Sequence, residues 1–288
     1  MRSPAPLVIF GEVLFDKFPD GREVLGGAPF NVAWHLQALG DAPLFISRVG
    51  DDPSGAAILA SMQDWGMLTD GVQRDPQRPT GSVTVSFVEN EPHYSIDRDR
   101  AYDAIAPVVP LPPGAILYHG SLALRSPTSR VTLEALAASE AVSIFVDVNL
   151  RYPFWQRDEV VALLRRARWA KLNGDELAAL GFAASDLPTA MAALQDTCNL
   201  ELLILTRGAD GALLRTVAGE LITAAPPQVE RVVDTVGAGD AFSALCLHGL
   251  NAGWPLPQLL ERAQRFAAAV VGLRGATTTE RAFYAPYL

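Results

Sequence analysis

An α/β fold, with helices on both faces of a mostly parallel sheet and a small β insertion, is what this sequence predicts. Two observations carry the prediction. Short apolar runs such as Leu7-Val8-Ile9-Phe10 and Leu202–Thr206 alternate with helical segments along most of the chain. Between Thr80 and Ile96 the pattern instead repeats at every second residue (Val83, Val85, Phe87), as in a hairpin.

Taken in order, Pro6 to Phe15 reads as a first buried strand and Ala28 to Leu39 as a helix stopped at Gly40. Leu44–Val49 is the next strand, and Ser54 to Trp65 the next helix. The hairpin follows, with its turn expected near Asn90-Glu91-Pro92. Strands Ala115–Tyr118, Ser143–Val148, Trp169–Leu172 and Leu202–Thr206 then alternate with helices over Pro127–Ala138, Glu159–Ala167, Asp175–Leu180 and Asp186–Gln195. A second hairpin, Ala212–Thr216 with Glu220–Thr223, precedes a glycine-rich stretch. Helices Ala241–Leu250 and Pro257–Leu273 come last. No internal repeat or linker divides residues 1–288, so one domain is expected, with 17–26 and 80–100 forming the insertion.

With 49% hydrophobic residues the chain can bury a large core, which argues against disorder. A net charge of −9 without a Lys/Arg cluster excludes a nucleic-acid surface. The two cysteines, Cys198 and Cys246, have no metal-binding spacing and read as buried thiols of a reducing compartment. Glu12 and Asp16 interrupt the apolar N-terminus too early for a signal peptide, and no uncharged run reaches membrane-spanning length. A cytoplasmic protein with no membrane or nucleic-acid partner is expected.

The glycine stretch Asp234-Thr235-Val236-Gly237-Ala238-Gly239-Asp240 leads directly into an apolar helix. Its glycines let a ligand approach the main chain, and the first helical turn offers unpaired N–H groups to an anion. Asp240 at that opening could accept a proton, which together describes a phosphoryl-transfer site. The same residues also fit a tight turn with an aspartate cap. Ligands of such sheets bind beyond the carboxyl ends of the strands, and polar residues recur there. Asp16 and Gly26-Gly27…Asn31 follow the first strand, where Asp16 could accept two hydroxyl protons or merely form a turn. Asp147, Asn149 and Arg151 follow the strand at 143–148. Asn173 and Glu176 follow the next, either as a capping box or as holders of the water shell of Mg²⁺. Thr206, Arg207 and Gly208 follow the last, and Arg98 and Arg100 follow the hairpin.

Five of these stretches, in this order, resemble the ribokinase/fructokinase (PfkB) family over essentially the whole chain. They are Gly26-Gly27-Ala28-Pro29-Phe30-Asn31 with Gly40 and Gly50, Asp147-Val148-Asn149-Leu150-Arg151, Asn173-x-x-Glu176, Thr206-Arg207-Gly208, and Asp234 to Phe242. The resemblance implies a ribokinase-like three-layer α/β/α fold with a β lid over the sugar. It implies Asp240 as catalytic base and the Gly237, Ala238, Gly239 and Asp240 amides as anion hole. It further implies Asn173, Thr206, Arg207 and Gly208 at ATP, Glu176 at Mg²⁺ through water, and Asp234 at K⁺. Asp16, Gly26, Gly27, Asn31, Asn149 and Arg151 would serve the sugar. Lids of this family pair into dimers, so a homodimer through the lid is a further expectation.

The chain lacks Gly-x-x-x-x-Gly-Lys-Ser/Thr and has no Gly-x-Gly-x-x-Gly after its first strand, which disfavours a P-loop enzyme and a dinucleotide dehydrogenase. An idle sugar-binding regulator is disfavoured because base, anion-hole and metal residues are all present. The N-terminal segment resembles the fructokinase branch, with fructose the leading acceptor. 2-Keto-3-deoxygluconate, ribose and nucleosides are the alternatives. His93-Tyr94-Ser95-Ile96-Asp97-Arg98 departs from the aromatic-aromatic-Arg segment of that branch, which leaves the reach of Arg98 and Arg100 open.

Overall fold

The computed structural model describes residues 4–88, 91–107, 111–139, 141–225 and 231–288. Strand β1 (Leu7–Phe10) is followed by β2 (Leu14–Lys17), β3 (Glu23–Gly26), helix α1 (Ala28–Ala38), β4 (Leu44–Gly50), α2 (Pro53–Trp65) and β5 (Val72–Asp75). Next come β6 (Gly81–Val88), β7 (Glu91–Ile96), β8 (Ile116–His119), α3 (Pro127–Leu136), β9 (Ser143–Asp147), α4 (Arg157–Leu164), β10 (Trp169–Asn173), α5 (Gly174–Ala179) and α6 (Leu187–Cys198). The chain continues through β11 (Leu202–Thr206), β12 (Ala212–Thr216), β13 (Leu221–Ala224), α7 (Ala238–Ala252), α8 (Leu256–Val271) and a short α9 (Arg281–Tyr284).

Nine strands form one sheet in the order β13-β12-β11-β10-β9-β8-β1-β4-β5, parallel from β11 to β5 and antiparallel at the β12 and β13 end. Alternation along β1 shows why both faces need helices. Leu7 and Ile9 enter one core with side chains of α1, α2, α7 and α8, while Val8 and Phe10 enter another with α3. Below β9 to β11 a third cluster packs α4, α5 and α6. The expected three-layer α/β/α architecture is what forms.

One expectation needs correction. Pro6 to Phe15 is not one strand. The chain leaves the main sheet after Phe10, at Gly11 (φ 151°), where a Cβ would lie 2.4 Å from Pro29 Cγ. Leu14–Lys17 joins a second, four-stranded sheet of order β3-β2-β6-β7. Asp16 therefore lies within this smaller sheet, opposite Val24 and Val83, rather than at the end of the first main-sheet strand. One strand was not foreseen, β5, whose Val72-Gln73-Arg74-Asp75 has little strand character and which, among the described residues, forms an edge by pairing with β4 alone. Asn90, at the expected hairpin turn, lies outside the described residues.

Asp52 joins α2 to the base of the smaller sheet. Its carboxylate caps α2 through Gly55 N (2.8 Å) and accepts from Thr80 N (2.8 Å) and Thr80 Oγ1 (2.7 Å). Burial opposes ionisation, but these hydrogen bonds and the charge of Lys17 outweigh it and hold the carboxyl below its ordinary range. Because its folded-state pKa is depressed, the stabilisation is present above the ordinary aspartate pKa and is lost as pH falls through the lower folded value. Asp52→Ala is expected to cost about 1–2 kcal/mol in urea unfolding at pH 7. The deficit should shrink on acidification. A deficit that grows on acidification would contradict this role.

Candidate active site

The glycine stretch is shaped by contact. Gly237 (φ 81°) precedes the first residue of α7, and a Cβ there would lie 2.3 Å from Ala276 Cβ, so no other residue fits. The first-turn N–H groups that follow have no acceptor within the helix. In the same turn Asp240 is half-buried, and its Oδ2 accepts from Asn31 Nδ2 at 2.8 Å. Burial raises its pKa to about 6; Asn31 opposes the shift, Asp147 adds to it, and Lys171 and Arg151 oppose it. At neutral pH Asp240 is mostly ionised, yet basic enough to hold a proton in passing.

Around it, among the described residues, lie two buried oxygens without a protein donor, Asn31 Oδ1 and Glu12 Oε2. Gly27 is what lets the chain close up here, since a Cβ would sit 2.7 Å from the Glu12 carbonyl. Burial pushes Glu12 to about 7 and Asp16 to about 6, and Arg151 pulls both down. Arg151 is thus the exposed cation among Glu12, Asp16 and Asp240. From β7, Tyr94 approaches Asp16, Asp234 and Arg151. Gly26 packs against Asp16, and Asn149 adopts φ 41° on the loop carrying Arg151.

The remaining candidates are held as follows. Asn173 and Glu176 form a reciprocal capping box (2.9 and 2.8 Å), and Glu176 Oε1 accepts from Leu150 N at 2.8 Å. Burial, with the neighbouring Asp147, raises the Glu176 pKa. Thr206 Oγ1 contacts the Leu172 carbonyl at 3.5 Å, Arg207 folds onto the carbonyl of Asp210, and Gly208 is exposed. Asp234 accepts from Val236 N (3.0 Å) and Gly275 N (3.1 Å), closing the loop ahead of Gly237. Arg98 stacks over Phe154 (4.8 Å), and Arg100 pairs with Asp97 (2.9 Å), so both are engaged away from Asp240.

A model of the pfkB family of carbohydrate kinases matches residues 10–282. The chain belongs to that family. A fructokinase of Klebsiella pneumoniae is 32% identical over 296 residues, covering 94% of each chain, and one of Escherichia coli is 30% identical over 95% of each. Among solved structures, a fructokinase from Vibrio cholerae O395 bound to fructose, ADP and potassium has TM-score 0.83 at 25% identity over 99% of both chains. Aminoimidazole riboside kinase from Salmonella enterica, bound to aminoimidazole riboside and an ATP analogue, has TM-score 0.83 at 28% identity, covering 95% of this chain and 96% of its own.

Around these candidates the structure also gathers residues that the sequence alone did not single out. Lys171 is buried in mid-strand, its Nζ 3.0 and 3.1 Å from the Asp147 carboxylate and 3.4 Å from the Gly239 carbonyl. Burial alone would lower its pKa, but Asp147, Glu176 and Asp240 raise it, so it stays charged. Ser243 Oγ (2.7 Å) and Tyr118 OH (3.3 Å) donate to the same carboxylate. The signal was there, because a lysine inside the apolar run Trp169–Leu172 must find a partner. Glu12 and Tyr94 had no comparable signal, since a loop carboxylate and a hairpin tyrosine are ordinary until the fold brings Glu12 near Asp240 and Tyr94 near Asp16.

Lys171→Met strands the Asp147 carboxylate and is expected to cost about 3–5 kcal/mol in urea unfolding. Adding Asp147→Leu should recover most of that loss, because no buried charge then stands alone. A single-variant cost below about 1 kcal/mol, the range of exposed pairs, would show the pair to be unimportant.

Proposed function

We propose that this kinase is a fructokinase, transferring the γ-phosphoryl group of ATP to a primary hydroxyl of fructose. The observation that carries the reading is the joining of Asp240, at the open first turn of α7, with two buried oxygens, Asn31 Oδ1 and Glu12 Oε2, that have no hydrogen-bond partner among the described residues. Buried polar oxygens without partners call for a hydroxylated ligand, whose hydroxyls can both donate and accept. Fructokinase relatives at 30% identity and above support the same choice.

In this reading Asp240 takes the hydroxyl proton as the sugar oxygen bonds to the γ-phosphorus and the bond to ADP breaks. The N–H groups of Gly237 to Asp240 receive the charge on the transferred group. Asp16 and Asn31 hold sugar hydroxyls, Arg151 and Asn149 border them, and β2, β3, β6 and β7 act as a lid. Thr206 to Gly208 and Asn173 face the nucleotide. Mg²⁺, when bound, neutralises phosphate charge, and Glu176 suits a water-mediated role because each oxygen keeps a lone pair beyond its backbone N–H. Asp234 has the same spare capacity for K⁺ in the loop it closes. A riboside acceptor is the second reading, favoured by the likeness to aminoimidazole riboside kinase.

Asp240→Asn is expected to lower kcat by about 10²–10⁴ while leaving the fold and ATP binding intact. Near-normal turnover, followed by ADP release, would remove Asp240 as the base. A coupled assay over fructose, ribose, 2-keto-3-deoxygluconate and aminoimidazole riboside decides the acceptor. Fructose should give the highest kcat/KM, and Asp16→Asn should cut it by on the order of 10². Arg98→Ala and Arg100→Ala should matter much less. Preference for the acid sugar, or a larger loss in the arginine variants, would contradict the ketose reading.

A further inference from the structure

We propose a second ligand site, for a small phosphomonoester, in the groove bounded by α3, α4 and the chain following β7. Two adjoining hollows of about 390 and 420 Å³ share Arg125, Arg130, Phe154, Trp155 and Glu159, and neither is lined by Asp16, Asn31, Arg151 or Asp240. Volumes of this order suit a small metabolite.

Four arginines (Arg98, Arg125, Arg130 and Arg166) and five carboxylates (Asp99, Asp103, Glu134, Asp158 and Glu159) wall the two hollows, so what distinguishes the groove is how its charges pair rather than their sum. Arg125 is held by both oxygens of Asp103 (2.7 and 2.8 Å), and Arg130 by Glu159 (2.7 Å). Asp99 pairs outward with Arg78 at 2.9 Å. Arg98 is left without a carboxylate among the described residues, stacked 4.8 Å from the Phe154 centroid, while Arg125 lies 4.5 Å from the same centroid. Arg125 is a buried side chain at 8% exposure, and its Nη1 has no hydrogen-bond partner among the described residues. Two guanidinium groups gathered on one ring, one uncompensated and the other with an unused donor, suit an anion with several oxygen acceptors. A phosphomonoester meets both with its terminal oxygens and leaves its organic part beside Trp155.

The position gives such a ligand a route to the catalytic site. Arg125 also donates to the Asp97 carbonyl just beyond β7, and the Asp97 carboxylate accepts from Ser82 Oγ on β6 at 2.5 Å. Phe154 lies on the loop that carries Arg151. Occupancy therefore bears on both the smaller sheet and the sugar-facing cation.

The test is calorimetric titration of inorganic phosphate, and separately of malonate, into wild type and Arg98→Gln at constant ionic strength. Arg98 is exposed, so the variant should fold. Phosphate should bind the wild type, with one event weakened about 10-fold or more in Arg98→Gln, the loss expected for a hydrogen bond to a charged group. Equal phosphate binding in both proteins, or none in the wild type, overturns the site. Malonate binding as tightly as phosphate overturns the phosphomonoester assignment.

Discussion

A lysine in the middle of a buried parallel strand needs a counter-charge, and the way Lys171 finds one organises the catalytic end of this kinase. Register places it opposite Asp147 on the neighbouring strand, and the pair is completed by Ser243 from α7 and Tyr118 from β8. One buried carboxylate thus ties two further strands and the helix whose first turn carries Gly239 and Asp240. Lys171 reaches the Gly239 carbonyl as well, so its charge lies directly beneath the proposed anion hole. Exposed ion pairs contribute little to stability, but a pair shut off from water is costly to break on either side. That cost makes the geometry at the start of α7 hard to deform.

The second constraint is closeness of backbone. Gly237 against Ala276, and Gly27 against the Glu12 carbonyl, bring the start of α7 and the start of α1 to one place, where Asn31 meets Asp240. The carboxyls gathered there, Glu12, Asp16 and Asp240, are all pushed upward by burial and restrained by Arg151. Shielding from water, with repulsion between Glu12 and Asp240, disfavours ionising all of them at once. The neutral ketose proposed as acceptor adds no further negative charge to this cluster.

Much of this was legible in the sequence, and the reasons differ by residue. Buried strands such as Leu202–Thr206 announce themselves because both faces are covered and every position is apolar. Gly237 was legible as a turn residue because a glycine just before an apolar helix can take the positive φ found there. The break at Gly11 was not, because apolar residues continue through Val13, Leu14 and Phe15, and only pairing with β6 shows that the strand has changed sheets. β5 was hidden by its polar edge composition. Asn173 and Glu176 were read as either cap or metal holder, and the hydrogen bonds show the capping box formed. The engagement of Arg98 with Phe154 joins residues far apart in sequence, which no local pattern reveals.

The ionisation of Asp240 in place is the most direct measure of whether this turn is built for proton transfer. A carbon-detected NMR titration of side-chain carboxyls, with the Asp240 signal assigned by its absence in Asp240→Asn, reads it without turnover. A midpoint of about 6 is expected from burial and the nearby Asp147. A midpoint at the ordinary aspartate value of about 4 would contradict the enclosed, restrained carboxylate described here.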